Sequence, residues 1–199
     1  NGVGRSGSMP ETMPQTALWL LQRFVLSNTD DYATIDEINP VTGDVIDFHD
    51  VSSTLSGSAL TGASFDTAGN YYVLQQGTMY RFNEPGPGMG TGSLTAIFTI
   101  AGGLSMDGFS IEPTTGDMYF AINNGSDSEL FKLDSADIPV SNIPVSIDSI
   151  GIVNGLLPDG TTGDASVDSL AFDNYGSLWG ADNDGTLIKI DPETAEAIL

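Results

Sequence analysis

Short runs of alternating apolar and polar residues, separated by tight turns, follow one another along most of the chain. The clearest example is 167–192, where three such runs are joined by the turn sequences DNYG and DNDG. Turns of this kind between alternating runs are a strong hairpin signal, because glycine and asparagine tolerate positive φ. No window keeps a 3.6-residue period over three helical turns. The pattern therefore predicts short strands joined as meanders, with almost no helix.

The meander recurs along the chain. The first-turn glycines Gly69, Gly116 and Gly176 lie 47 and 60 residues apart, and a basic residue recurs in the third strand as Arg81, Lys132 and Lys189. A period of about 40 to 50 residues with four short strands is typical of propeller blades, whose small sheets bury their faces only against neighbours. We therefore predict an all-β, β-propeller-like array of about four blade units, each a short antiparallel meander. The units are about 16–54, 55–103, 104–160 and 161–199, preceded by an arm or linker over 1–15.

The charge balance is extremely acidic. Five Lys and Arg residues stand against 27 Asp and Glu residues, which gives a formal net charge of −22. Such a surface repels nucleic acid and anionic membranes, and it favours cations as partners. The chain contains no cysteine, which excludes disulfides and thiolate chemistry. Its apolar runs are too short for membrane insertion.

Five repeated sequence segments resemble those of a known group of proteins. They are GASFDTAGNYYV, GFSIEPTTGDMYF and SLAFDNYGSLWG, with ATIDEINPVTG and LIKIDPETA. Over about 16–199 they resemble the blades of secreted bacterial and archaeal β-propellers of the YVTN, NHL and gluconolactonase-like groups. The resemblance implies a propeller fold and a secreted or cell-surface location. It leaves activity open, because such blades serve scaffolds, binders and a few hydrolases.

A polar column marks the start of each predicted first strand: Thr16, Thr61, Asp107 and Asp168. The resemblance implies that first strands line the axial channel, where gluconolactonase-like enzymes hold calcium with oxygen ligands. The other interpretation is that these side chains cap strand starts and bond to backbone in turns. Asp182 and Asp184 resemble the opening of an EF-hand loop without its length or closing Glu. The candidate calcium ligands are Thr61, Asp107, Asp168, Asp182 and Asp184.

The common strong catalytic motifs are absent from the sequence: it has no G-x-S-x-G, P-loop, H-E-x-x-H or C-x-x-C. We interpret His49 as a solvated loop residue. The sequence favours a non-catalytic extracellular structural or interaction protein, a subunit of a surface or filamentous assembly. The alternatives are a calcium-dependent, lactonase-like hydrolase with an axial metal and a blade fragment of a larger propeller. We expect protein partners, with self-association through the arm 1–15 or an exposed strand edge at 195–199.

Overall fold

The described part of the chain contains eighteen short strands and one turn of 3₁₀ helix. The computed structural model describes residues 18–27, 30–39, 41–55, 60–84, 92–124, 127–157, 160–181 and 185–198. The first seven strands are β1 (Leu18–Ser27), β2 (Asp30–Ile38), β3 (Val45–Asp50), β4 (Leu60–Phe65), β5 (Tyr71–Gln75), β6 (Thr78–Asn83) and β7 (Ser93–Ile100). The next seven are β8 (Gly108–Ile111), β9 (Met118–Asn123), β10 (Ser128–Leu133), β11 (Ile143–Val145), β12 (Asp148–Ile152), β13 (Asn154–Leu156) and β14 (Thr162–Asp164), with the 3₁₀ turn Ser135–Asp137 after β10. The last four are β15 (Ser169–Phe172), β16 (Leu178–Ala181), β17 (Leu187–Ile190) and β18 (Glu196–Ile198).

The strands form four sheets that follow one another along the chain. Sheet A has the order β1-β2-β3, sheet B the order β11-β7-β6-β5-β4, sheet C the order β12-β10-β9-β8 and sheet D the order β14-β13-β18-β17-β16-β15. Neighbouring strands are antiparallel except for β11 beside β7 and β13 beside β18, which are parallel. Residues 143–164 thus supply strands to three different sheets.

The same turn links the first two strands of sheets B, C and D. In each turn a glycine adopts positive φ: +82° at Gly69, +79° at Gly116 and +79° at Gly176. Its N–H donates to the carbonyl three or four residues earlier, on Asp66, Glu112 or Asp173. The acidic side chain at that position also accepts backbone N–H groups of its own turn. The turn pattern predicted from the sequence is confirmed, and it fixes the register of each meander.

Three apolar clusters lie between the four sheets. Residues of β2, β5 and β6 form the cluster between sheets A and B, including Ile35, Val73 and Phe82. The largest cluster joins sheet B to sheet C, and a third joins sheet C to sheet D. Sheets B and C therefore each pack against the sheet before and the sheet after them in the sequence, as blades do.

Two local predictions are wrong. His49 lies in β3 and is 3% exposed, with its ring 5.1 Å from that of Phe82, because the β2–β3 register places it opposite Ile35 on the apolar face. The predicted free edge at the last strand is also not present, because β13 pairs with β18 through Asn154–Glu196 and Gly155–Ala197. A segment that precedes the fourth meander thus covers this edge.

Candidate functional site

The predicted polar column marks equivalent positions at the starts of β8 and β15. The Asp107 N–H donates to the Ala121 carbonyl at 2.9 Å, and the Asp168 N–H donates to the Ala181 carbonyl at 2.8 Å. Each bond lengthens the first hairpin of its sheet by one residue. These residues therefore start the innermost strands in the same way in sheets C and D.

Asn123, at the end of β9, connects the two carboxylates. Its N–H donates to Asp107 Oδ2 at 2.8 Å, and its Nδ2 donates to Ser166 Oγ at 2.7 Å and to Asp168 Oδ1 at 2.8 Å. The backbone and side-chain N–H groups of Asn123 thus occupy one oxygen of each carboxylate, which a cation would otherwise bind. Asp168 Oδ2 is buried and has no hydrogen-bond partner among the described residues. Sequence reasoning missed Asn123 because its partners are 16 to 45 residues away.

Of the other predicted ligands, the structure describes only Thr61. Thr61 lies in β4 and lines the axial cavity described below. Asp182 and Asp184 lie outside the described residues, as do Thr16 and the arm 1–15. Within the described ranges, no group of three or more His, Cys, Asp or Glu side chains could hold a metal ion.

The innermost strands β4, β8 and β15 meet around a cavity of about 970 Å³. It is open to solvent and follows β4 along most of its length, then continues over the ends of β8 and β15. Its walls include the aromatic residues Phe65, Tyr71 and Phe172, and its rim includes the carboxylates of Asp66 and Asp173. The remaining lining residues are small, polar or aliphatic: Thr61, Gly62, Ala63, Ser64, Thr67, Ser110, Ile111, Pro113, Leu170, Ala171 and Asn174.

Both rim carboxylates are held in place by their own turns. Asp66 accepts the Ala68 and Asn70 N–H groups at 2.9 and 2.8 Å. Asp173 accepts the Ser177 N–H at 2.9 Å and the Trp179 indole N–H at 3.2 Å. The Ser177 N–H and these other donors lower the pKa of Asp173, so this carboxylate stays ionised. The rim of the cavity therefore carries fixed negative charge.

Adjacent innermost strands are joined by a repeated Gly-x-Ser device. Ser64 Oγ accepts the Ile111 N–H at 3.0 Å, and Ser110 Oγ accepts the Phe172 N–H at 3.0 Å. Two residues earlier, a Cβ on Gly62 would lie 3.0 Å from Phe109 Cβ, and one on Gly108 would lie 3.1 Å from the Leu170 nitrogen. Glycine thus permits the approach and serine completes the bond. Sheet D has Ser169 and Ala171 at these positions, so it lacks both parts.

The face of sheets B and C that points toward the next sheet has the same composition as the equivalent face of sheet D. We call it the trailing face and define it by two cross-strand pairs, an aromatic with a basic residue and two apolar residues. The pairs are Tyr72–Arg81 and Leu74–Met79 in sheet B, Tyr119–Lys132 and Ala121–Leu130 in sheet C, and Trp179–Lys189 and Ala181–Leu187 in sheet D. The second pair is apolar in all three sheets, so each trailing face offers the same kind of surface.

The three trailing faces differ in what covers them. Met79 and Leu130 are 0% exposed beneath sheets C and D, respectively, whereas the equivalent Leu187 is 59% exposed. Trp179 and Ala181 are half-buried, whereas Tyr119 and Ala121 are buried. Ile198, opposite Lys189 on β18, extends the uncovered face of sheet D. The aromatic, basic and apolar positions recur at matching places in the sequence repeats. Only the stacking of the sheets shows which of these faces is uncovered.

The basic column confirms the alignment of the repeats. Lys132 binds Asp117 at 2.9 Å and Asp134 at 3.0 Å, and its ammonium lies 5.8 Å from the Tyr119 ring centre. Lys189 lies 5.9 Å from the Trp179 ring centre. Hydrogen bonds to Asp117 and Asp134 raise the pKa of Lys132. Burial alone would raise the pKa of Asp117, but the Ser135 N–H and Lys132 hold it below the ordinary value.

Comparison with known proteins places the chain at the level of the fold. No family model and no curated protein matches it. Among solved structures, the glutaminyl cyclase of Myxococcus xanthus matches 85% of this chain at 13% identity, with a TM-score of 0.54. A luciferin-regenerating enzyme matches 90% at 14% identity and a TM-score of 0.44, and the β-propeller domain of Myceliophteria thermophila Cps50 (Swd1) matches 88% at 10% identity and a TM-score of 0.46.

The chain spans 64% of the length of the cyclase and 60% of the length of the luciferin-regenerating enzyme. At these identities the similarity extends to the fold only. The architecture is all-β and propeller-like, as the repeat pattern predicted. In the described part of the chain, no helix has the length and apolar character needed to cross a membrane.

Proposed function

We propose that this protein is a non-catalytic extracellular interaction protein, which assembles through the trailing face of sheet D. One observation carries the proposal: the apolar pair that is buried in sheets B and C is half-buried at Ala181 and exposed at Leu187 in sheet D. A sheet stabilises a propeller-like array by covering its neighbour, so the exposed face has the composition of a docking surface. The extracellular location follows the resemblance to secreted blades.

The partner that we assign to this face is a second copy of the chain. The internal junctions show that a trailing face of this composition accepts another sheet of the same repeat. The innermost strand β15 has Ser169 and Ala171 where the B–C and C–D junctions have glycine and serine. The sheet of the second copy therefore packs farther from β15 than sheets C and D pack from β4 and β8. Apolar contact across Leu187, Trp179 and Ile198 then supplies the association.

The net charge of −22 opposes self-association over longer distances, and salt screens this repulsion. Association should therefore strengthen between 0.05 and 0.5 M NaCl on the order of several-fold. A doubled mass would indicate that two sheet D faces pack together, whereas a ladder of masses would indicate head-to-tail assembly.

Sedimentation velocity of the intact chain and two variants tests this proposal. Leu187→Asp places a charge on the trailing face, and Val140→Asp places the same charge at a fully exposed position outside that face. We expect Leu187→Asp to sediment as a monomer and Val140→Asp to assemble like the parent. A monomeric parent at about 0.1 mM in high salt, or equal assembly of both variants, would refute the proposal.

The second candidate is a calcium-dependent hydrolase, and the specific observation in its favour is the unpartnered Asp168 Oδ2. Asp107, Asp168, Ser166 and the Asn123 amide offer the oxygen ligands that calcium prefers. The set contains only two carboxylates, and Asn123 already donates to both. Calcium would therefore bind Asp168 through Oδ2 alone, or displace the Asn123 amide N–H from Oδ1.

Thermal melting at fixed ionic strength separates the two candidates. Calcium that binds the native state raises Tm, and at 100 times Kd the gain is about 2.7 kcal/mol. The hydrolase hypothesis expects this rise in millimolar calcium and its loss in Asp168→Asn. The non-catalytic proposal expects equal melting temperatures in EGTA and in calcium.

A further inference from the structure

The axial cavity is separate from the trailing face of sheet D and has its own chemistry. Two carboxylates stand on its rim, and the described residues that line it include no Lys or Arg. Three aromatic rings stand in the same walls, and the Phe65 and Tyr71 rings lie 4.7 Å apart. Fixed negative charge beside aromatic faces is the environment that a Lys ammonium or Arg guanidinium prefers.

The cavity also offers backbone groups in a linear array. β4 and β15 are each the last strand of their sheet, so each turns one row of N–H and C=O groups away from its sheet. Ser64 and Ser110 line the cavity and accept N–H groups of the neighbouring strands, which leaves their hydroxyl hydrogens to donate. An extended chain can pair with such an edge while its side chains enter flanking pockets.

We propose that this cavity binds an extended basic peptide segment. The backbone of the peptide lies along β4, and a Lys or Arg side chain reaches the rim between Asp66 and Asp173. The charge of the whole chain supports the choice, since a field of −22 attracts basic segments and repels acidic ones. The volume of about 970 Å³ accommodates several residues of an extended chain rather than a single small ion.

Calorimetric titration with an acetylated, amidated hexapeptide of alternating threonine and lysine tests the proposal. The matched probe has glutamate in place of lysine, and argininamide represents a free small cation. We expect the basic peptide to bind and the acidic peptide not to bind. Argininamide should bind at least about tenfold more weakly than the peptide, because it cannot pair along the strand.

Two variants of one turn locate the peptide. Asn174 lines the cavity, whereas the adjacent Tyr175 is 94% exposed and does not line it. Asn174→Lys should weaken binding about tenfold or more by opposing the incoming cation, and Tyr175→Lys, with the same change in net charge, about twofold at most. Unchanged far-UV circular dichroism would confirm that both variants fold. Equal weakening in both variants, binding of the acidic peptide, or argininamide binding as tightly as the basic peptide would each overturn the proposal.

Discussion

The trailing faces of sheets C and D present the same surface in two environments. Tyr119, Ala121 and Leu130 are buried by sheet D, while no sheet of the described residues covers Trp179, Ala181 and Leu187. Cross-strand pairing is identical in the two sheets, so the strands do not cause the difference. The two sheets also differ at the innermost strand, where sheet C has Gly108 and Ser110 and sheet D has Ser169 and Ala171. The B–C and C–D junctions thus combine an apolar trailing face with a glycine and a serine of the innermost strand.

The largest expected effect comes from truncating a side chain in the apolar cross-strand pair of the trailing face. Leu130→Ala should lower the free energy of unfolding by about 2–5 kcal/mol, because it leaves a cavity between sheets C and D. Leu187 is the equivalent residue of sheet D. In dilute protein, Leu187→Ala should change the free energy of unfolding by no more than about 0.5 kcal/mol. Urea unfolding at low protein concentration measures both values. Similar losses in the two variants would mean that the face of sheet D is already covered within one chain.

The glycine of the junction gives the next largest effect. Gly108→Ala places a methyl group 3.1 Å from backbone atoms of Ser169 and Leu170, which only a shift of sheet D can relieve. We expect a loss of about 1–3 kcal/mol, as for other overpacked sites. Ser169→Ala should cost no more than about 0.5 kcal/mol, because the residue is exposed. Thermal melting of the two variants makes the comparison, and an unchanged Tm for Gly108→Ala would show that the sheets are not held so close.

The serine of the junction should contribute less than the glycine. Ser110→Ala removes the acceptor of the Phe172 N–H and should cost about 1 kcal/mol. Ala171→Ser adds a hydroxyl to an exposed strand that faces no following sheet, so we expect almost no change. Amide hydrogen exchange at Phe172 provides the direct readout. Exchange that stays as slow in Ser110→Ala as in the parent would argue against this bond.

The smallest effect concerns Asp117, which binds Lys132 beside the Tyr119 ring. The folded-state pKa of Asp117 lies below its ordinary value, so its carboxylate stabilises the fold above the unfolded-state pKa. This stability is lost as the pH falls through the folded-state pKa, below about pH 4. Asp117→Asn should therefore lower stability at pH 7 by about 1 kcal/mol or less, and the difference should shrink in acid. Urea midpoints between pH 7 and pH 3 measure this trend, and a constant difference would contradict it.

Much of the fold was predictable because each turn carries its own local signal. The glycines at 69, 116 and 176 fix the hairpins and their register, and the column of Arg81, Lys132 and Lys189 aligns the repeats with one another. The parallel partner of β18 could not be predicted. This partner, β13, lies about 40 residues earlier in the sequence, and no turn motif links the two strands. His49 was misjudged because its burial depends on which face of β3 meets sheet B.

The candidate site was less predictable than the fold. Asp107 and Asp168 were identified as a column, but the role of Asn123 depends on contacts between two sheets. The Gly-x-Ser device is visible at 62–64 and 108–110, yet its meaning appears only when the distance between innermost strands is known. The axial cavity has no sequence signal, since three separate strands form it.

Trp179 provides the most direct test of the claim that the trailing face of sheet D docks a second copy. The chain contains two tryptophans, so a Trp19→Phe variant leaves Trp179 as the only one. Its half-buried ring lies on the face in question, and a docked sheet would exclude water from it. The emission of Trp179 should shift to shorter wavelength as the protein is concentrated from about 0.1 to 100 µM in 0.5 M NaCl, and Leu187→Asp should abolish this shift. An emission maximum that is independent of concentration in the parent would contradict the account.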